Sequence, residues 1–229
     1  MSNSSITLTS LANTLGISSL TEDTTPDAAN DFVATYDASA SANKKVKITN
    51  IPAGSMVLLA TATASASATI SFTSISSTYS SYRIIGSNII PATDDTSLNT
   101  VVSIDGGSSY VAGTSYEWVN FIYSTSATGS KSTNNSAAVI TLNGTAAGMT
   151  LGTGTGESFN FCLDLYNPSQ AAAYHGMSWT GGGRMSGTEQ CVVGGFGNYK
   201  AIDAVNAIRF LMSSGNIASG IFKLYGIKG

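Results

Sequence analysis

This chain has little charge, one histidine, and few cysteines or prolines, and each shortage closes a class of function. Asp, Glu, Lys and Arg make up only 10% of its 229 residues, and the formal net charge is −3. That balance gives no electrostatic reason to bind DNA or RNA. The basic residues are scattered, apart from a cluster at Lys44, Lys45 and Lys47. With His175 alone, a histidine metal cluster within one chain is excluded, and only a site shared by symmetry copies remains. A Ser-His-Asp triad would have to use the same residue, and no Gly-x-Ser-x-Gly elbow is present to place its serine. His175 is read instead as a half-exposed strand residue.

Two cysteines, Cys162 and Cys191, are too few for the disulfide framework of a small secreted domain. One bridge stays open beside the alternative of two unpaired, partly buried thiols in strands. No apolar run approaches the roughly 20 residues that span a bilayer. The N-terminal stretch lacks the basic and apolar regions of a signal peptide. The expectation is a soluble protein made in a cytoplasm, without a membrane contact or a cofactor.

What is abundant is hydroxyl and small residues. Ser and Thr together make up roughly a quarter of the chain, well above ordinary usage. The apolar fraction, 42%, still suffices for a core. Low charge with many hydroxyls suits surfaces that pack on other chains or contact sugars.

Residues 1–54 differ from the rest. Their apolar residues are isolated, and Ser10–Leu15 would make only a marginal helical turn. Thr24–Asp27 reads as a turn, Phe32–Tyr36 and Lys44–Ile48 as short strands, and Asn50–Gly54 as a break. Such a segment needs a partner surface or copies of itself. From Met56 onward, strands recur at regular spacing: Met56–Ala62, Ala68–Thr73, Tyr82–Ile90, Leu98–Ile104, Tyr116–Tyr123 and Ala137–Leu142. Phe159–Tyr166, Tyr174–Trp179, Gln190–Gly194, Asn206–Met212 and Gly220–Ile227 follow. In Ser158–Tyr166 the apolar set Phe159, Phe161, Leu163 and Leu165 falls on one face, with Asn160, Cys162 and Asp164 on the other. This period of two predicts an antiparallel β-sandwich or jelly roll over residues 55–229, with residues 1–54 as an extended N-terminal arm. Asp105-Gly106 reads as a hairpin turn, and Asn143–Gly156 and Thr180–Gly187 as long glycine-rich loops.

The chemistry on offer is thin. Gly152, Gly154 and Gly156 alternate as in a nucleotide loop, but a strand follows them instead of a helix. Gly194-Gly195-Phe196-Gly197 lacks the lysine of a P-loop. The carboxylates Asp94, Asp95, Asp105, Glu117, Glu157, Asp164, Glu189 and Asp203 present no obvious acid–base pair. Asp94, Asp95 and Asp105 could supply Ca²⁺ ligands, though without a recognised spacing, and they read better as turn formers. No catalytic, cofactor or metal residue is therefore assigned. Tyr116, Trp118, Tyr123, Tyr174, Trp179 and Tyr199 are candidates for stacking on sugar rings, against the reading that they fill the core. The Asn-x-Ser/Thr triplets at Asn3, Asn134 and Asn143 are expected by chance in so hydroxyl-rich a chain.

Several pieces occur in a suggestive order. They are Asn30–Ser39 with Lys44-Lys45-Val46, Leu58–Ser65 with Ile70–Thr73, Asn88–Asp95, Ser103–Tyr110, Ala207–Phe210, Ser213–Gly220 and Lys223–Lys228. Together they resemble virion structural proteins of tailed phages, of the fibre or appendage type found in marine and freshwater phages and those of cyanobacteria. Residues 111–157 match poorly, and no catalytic motif is carried over. The resemblance implies a virion component made in a bacterial host, often oligomeric, and here expected to be a homotrimer. Residues 1–54 would dock on capsid, portal, adaptor or tail proteins, and the sandwich would face outward toward a host-surface glycan. A capsid decoration or cement protein, a glycan-binding receptor protein and, disfavoured by the dispersed carboxylates, a depolymerase are the alternatives.

Overall fold

A computed structural model describes residues 29–48, 55–125, 129–145, 149–187 and 189–228. The chain divides into two compact units, Met1–Ala53 and Gly54–Gly229. In the first, β1 (Phe32–Asp37) and β2 (Ala42–Lys47) form an antiparallel hairpin. The Lys45 ammonium sits 4.3 Å from the centre of the Phe32 ring. The helical turn expected at 10–15, the turn at 24–27 and the break at 50–54 lie outside the described residues.

The second unit is an antiparallel β-sandwich of unequal sheets. The large sheet runs, in spatial order, β3 (Met56–Ser67), β14 (Ile217–Ile227), β5 (Ser81–Pro91) and β10 (Ser158–Tyr166). It continues with β11 (His175–Arg184), β12 (Gln190–Tyr199), β7 (Tyr116–Ser124) and β8 (Ser130–Ala137). The small sheet runs β4 (Thr69–Phe72), β13 (Ala207–Met212), β6 (Leu98–Ser103) and β9 (Ile140–Thr141). Period-two alternation sets which face each strand buries. Phe159, Phe161, Leu163 and Leu165 point inward from β10, as do Ile208, Phe210 and Met212 from β13. The sheets meet through aromatic rings: Phe210 lies 5.5 Å from Phe161 and 5.4 Å from Phe222, centre to centre.

Four local expectations need correction. The glycine-rich loop expected at 180–187 is largely strand. Gly181–Arg184 complete β11 and pair on both sides, with β10 and β12. A side chain at Gly181 would meet the Phe159 ring at 2.7 Å, so the glycine makes room for a neighbouring aromatic instead of breaking the strand. Likewise β12 runs on through Gly195-Phe196-Gly197 to Tyr199. The run Ala137–Leu142 is two pieces, the end of β8 and all of β9, in different sheets. Asp105 does not head a β-hairpin: β6 pairs with β13 and β9, and the chain then crosses to the large sheet. Gly106 and Gly107 take the positive φ values of that turn.

Between the sheets, the segment after β8 is held by side chains. Trp118 donates through Nε1 to the Val139 carbonyl at 3.1 Å, and Trp179 to the Leu142 carbonyl at 2.9 Å. The Asn120 amide donates to the carbonyls of Thr141 and Asn143. Asn143 is itself fully buried; its Oδ1 accepts from the Leu98 amide at 2.7 Å, and its Nδ2 donates to the Gly144 carbonyl. Asn143, at the head of the loop expected at 143–156, is thus an interior anchor. Asn143→Ala should destabilise the protein by about 1–3 kcal/mol for the stranded Leu98 N–H alone. Denaturant melts would show this, and an unchanged midpoint would mean that the segment is not held this way.

Asp105 accepts hydrogen bonds from the Ser103 hydroxyl and from the Ser109 hydroxyl and amide. These bonds, those from Ser109 first, hold its carboxyl down to about 2. A carboxylate depressed on folding stabilises the protein above its unfolded value of about 4, and that contribution is lost as pH falls through about 2. Asp105→Ala should therefore melt earlier than the parent at neutral pH. The gap should close between about pH 4 and pH 2; parallel melting curves over that range would contradict this.

Candidate functional site

The best-built surface feature is the outward face of β7 and β12. On β7, Tyr116, Trp118, Asn120 and Ile122 point into the core, which turns Val119, Phe121 and Tyr123 outward. Phe121 is 51% exposed and Tyr123 55%. Across the ladder, Val192 of β12 faces Tyr123, Gly194 faces Phe121, and Phe196 faces Val119. Phe196 is also exposed, at 45%. The glycines shape this strip. A side chain at Gly194 would run into the Phe121 ring, and one at Gly176 would meet Phe196 at 2.9 Å. Each ring therefore lies across its neighbouring strand and leaves its other face to solvent. Phe121 and Tyr123 pack at 6.1 Å, centre to centre.

Beside Phe196 opens a cleft of about 240 Å³, whose lining includes Glu117, Val119, Asn134, Asn135 and Asn198. Asn198 donates to Glu117 Oε1 at 2.9 Å, which leaves the other carboxylate oxygen and the Asn198 carbonyl able to accept bonds from a ligand. An aromatic face next to planar amides and a carboxylate suits a polyhydroxylated ring. Its C–H face can lie on the aromatic, and its hydroxyls can donate to the carbonyl and carboxylate oxygens.

Further across the same face, between β5 and β12, a shallow trough of about 470 Å³ runs over Ile85, Asn160, Cys162, Thr180 and Gly182. Next to it Arg83 grips Asp164 with two bonds, Nε to Oδ1 at 2.7 Å and Nη2 to Oδ2 at 2.8 Å. This pair accounts for Asp164, and the carboxylate raises the Arg83 guanidinium above its ordinary value.

The remaining carboxylates are dispersed. Asp94 accepts from the Thr153 amide and Asp95 from the Thr150 hydroxyl. Bonds from Ser186 and Thr150 lower the Asp95 carboxyl. Asp105 is engaged with Ser103 and Ser109, a separate set of partners, so the structure does not bring Asp94, Asp95 and Asp105 together. Among the described residues no group of His, Cys, Asp and Glu is placed to hold a metal ion. In the loop of alternating glycines, the Gly154 amide donates to the chain's own Glu157 carboxylate at 2.8 Å. That buried carboxylate stands where a phosphate would have to sit.

His175 is fully buried and not half-exposed, because it shares the inward parity of Met177 and Trp179 on β11. Its ring stacks on Tyr199 at 6.0 Å, and neither nitrogen has a hydrogen-bond partner. Buried in this way, it cannot reach a symmetry axis. Of the aromatic candidates, Tyr116, Trp118, Trp179 and Tyr199 are interior, while Tyr123 and Tyr174 are exposed. The rings that line the strip, Phe121 and Phe196, were not singled out by sequence. The period-two geometry of a strand places Phe121 outward once Trp118 and Asn120 are known to face inward.

The fold and this face define an antiparallel β-sandwich with an exposed aromatic strip beside a polar cleft. Compared with known proteins, the chain matches no family model, no curated protein and no solved structure.

Cys162 and Cys191 are both free thiols, and burial pushes both upward from the ordinary thiol value. Denatured without reductant, the protein should titrate two thiols. In the native state Cys162, half-buried, should alkylate slowly and Cys191 more slowly still. Finding no titratable thiol would establish a bridge and contradict this geometry.

Proposed function

We propose that this chain is a virion structural protein of the fibre or appendage type. Residues 1–54 fix it to the particle, and the sandwich turns its β7–β12 face toward a host-surface glycan. The observation that carries the binding half is the strip of Val119, Phe121, Tyr123, Val192 and Phe196 beside the Glu117–Asn198 cleft. Soluble proteins rarely leave contiguous apolar rings in water unless a partner covers them. The particle half is supported by the order of the sequence pieces that resemble phage virion proteins.

Two arms of one experiment test the reading. Full-length chain on a glycan array should bind a restricted set of glycans, and Phe196→Ala should weaken that binding at least tenfold, the loss of about 1.4 kcal/mol expected of a central stacking contact. Removing residues 1–50 should leave a folded sandwich that retains glycan binding and no longer joins particles. Glycan binding untouched by Phe196→Ala would refute the site. Unchanged particle incorporation of the truncated chain would refute the anchoring role.

A further inference from the structure

The sandwich has four sheet edges, and they are not protected alike. An edge strand presents unpaired N–H and C=O groups, and proteins usually blunt it with charge, proline, short length or a covering side chain. At the far end of the large sheet, β8 carries Lys131, and Lys200 Nζ caps the Asn135 carbonyl at 2.7 Å. In the small sheet β4 is four residues long, with Arg209 reaching over to the Ser71 hydroxyl, and β9 is two residues long. The remaining edge is β3. It is twelve residues long, MVLLATATASAS, with no charged residue and no proline. Among the described residues its end is tended, where the Ser65 amide bonds the Ser67 hydroxyl and Asn216 donates to the Ala66 carbonyl, and a single bulge at Leu59 interrupts its ladder with β14. Met56–Ala64 is left as a long, uncharged edge, with Met56 and Leu58 exposed on it at 44% and 51%.

We infer that the β3 edge is an interface, and that its occupant is the β3 edge of a second copy of this chain. The strand suits itself. It offers no like charges to oppose, and its outward Thr61, Thr63 and Ser65 are small enough for close approach. An antiparallel two-fold pairing centred on Thr61, with the Leu59–Ala60 bulge of each copy opposite Ala62 of the other, sets the outward Leu58 and Met56 of each copy against Thr63 and Ser65 of the other. Those exposed apolar side chains are thereby covered, and the two large sheets become one continuous sheet. The nearest cation on the same face, Lys223, pairs with Thr61 from the next strand inward. Its counterpart in the second copy then lies three strand spacings away, about 14 Å, beyond the reach of strong repulsion at ordinary salt. The contact is isologous and joins two copies. The three-fold assembly implied by the sequence resemblance would use another surface.

Thr61 sits on the two-fold axis, opposite its own copy, and is exposed, so charge placed there reads out the pairing. Light scattering on the full chain should give twice the single-chain mass for the parent. Thr61→Lys and Thr61→Asp, each alone, should give the single-chain mass with unchanged circular dichroism. An equimolar mixture of the two should recover the doubled mass. A parent protein of single-chain mass, an assembly that survives both substitutions, or a mixture that stays at single-chain mass would each overturn the inference.

Discussion

The structure depends on the buried hydrogen bonds that hold the Val139–Asn143 segment. Trp118 and Asn120 reach it from β7, Trp179 from β11, and the Leu98 amide from the small sheet. Thr141 adds a bond to the Asn99 side chain at 3.0 Å. These contacts join the two sheets at a place where apolar packing alone would be indifferent to register. They also decide which side of β7 faces water. A slip of one residue would turn every side chain of the strand over. Trp118 and Asn120 would then lose their carbonyl partners, while Val119, Phe121 and Tyr123 would enter the core. The outward strip is therefore a consequence of inward polar bonds, which are strong here because an unmade bond in the interior is costly.

A second device works on the same sheet. Glycines on one strand lie under aromatic rings from the next: Gly86 under Phe161, Gly195 under Trp179, Gly194 under Phe121. Inward, this lets large rings fill the space between the sheets. Outward, it spreads rings over the surface instead of standing them up. The same residue type thus builds both the core and the proposed binding strip. The Arg83–Asp164 pair adds a charged tie across β5 and β10 on the outer face, half-exposed and so of modest weight in stability.

Much of the fold was legible in the sequence because most strands bury one face against a core. The alternation in β10 and β13 identified strands and inward residues alike, and the all-β sandwich followed from it. What escaped notice did so for physical reasons. β8 reads SKSTNNSA, an edge strand with almost no apolar side, so no periodicity marks it. The glycines of β11 carry a turn signal that the pairing partners on both sides override. His175 and the two tryptophans are amphipathic, and composition alone cannot say whether such a side chain finds a buried partner. Trp118 and Trp179 find backbone carbonyls; His175 finds only the face of Tyr199. The strip itself was hidden because Trp118 to Tyr123 is apolar at nearly every position, and only the polar clasp tells inside from outside.

Hydrogen exchange of the free protein addresses that clasp most directly. The Leu98 amide donates to Asn143 and the Leu142 amide to the Leu98 carbonyl. If the clasp holds the sandwich closed and sets the parity of β7, both amides should exchange only through global unfolding, as slowly as those of β10 at the sheet centre. Exchange of Leu98 and Leu142 at the rates of surface loops, while β10 stays protected, would show that the segment opens on its own and that something else sets the exposed face.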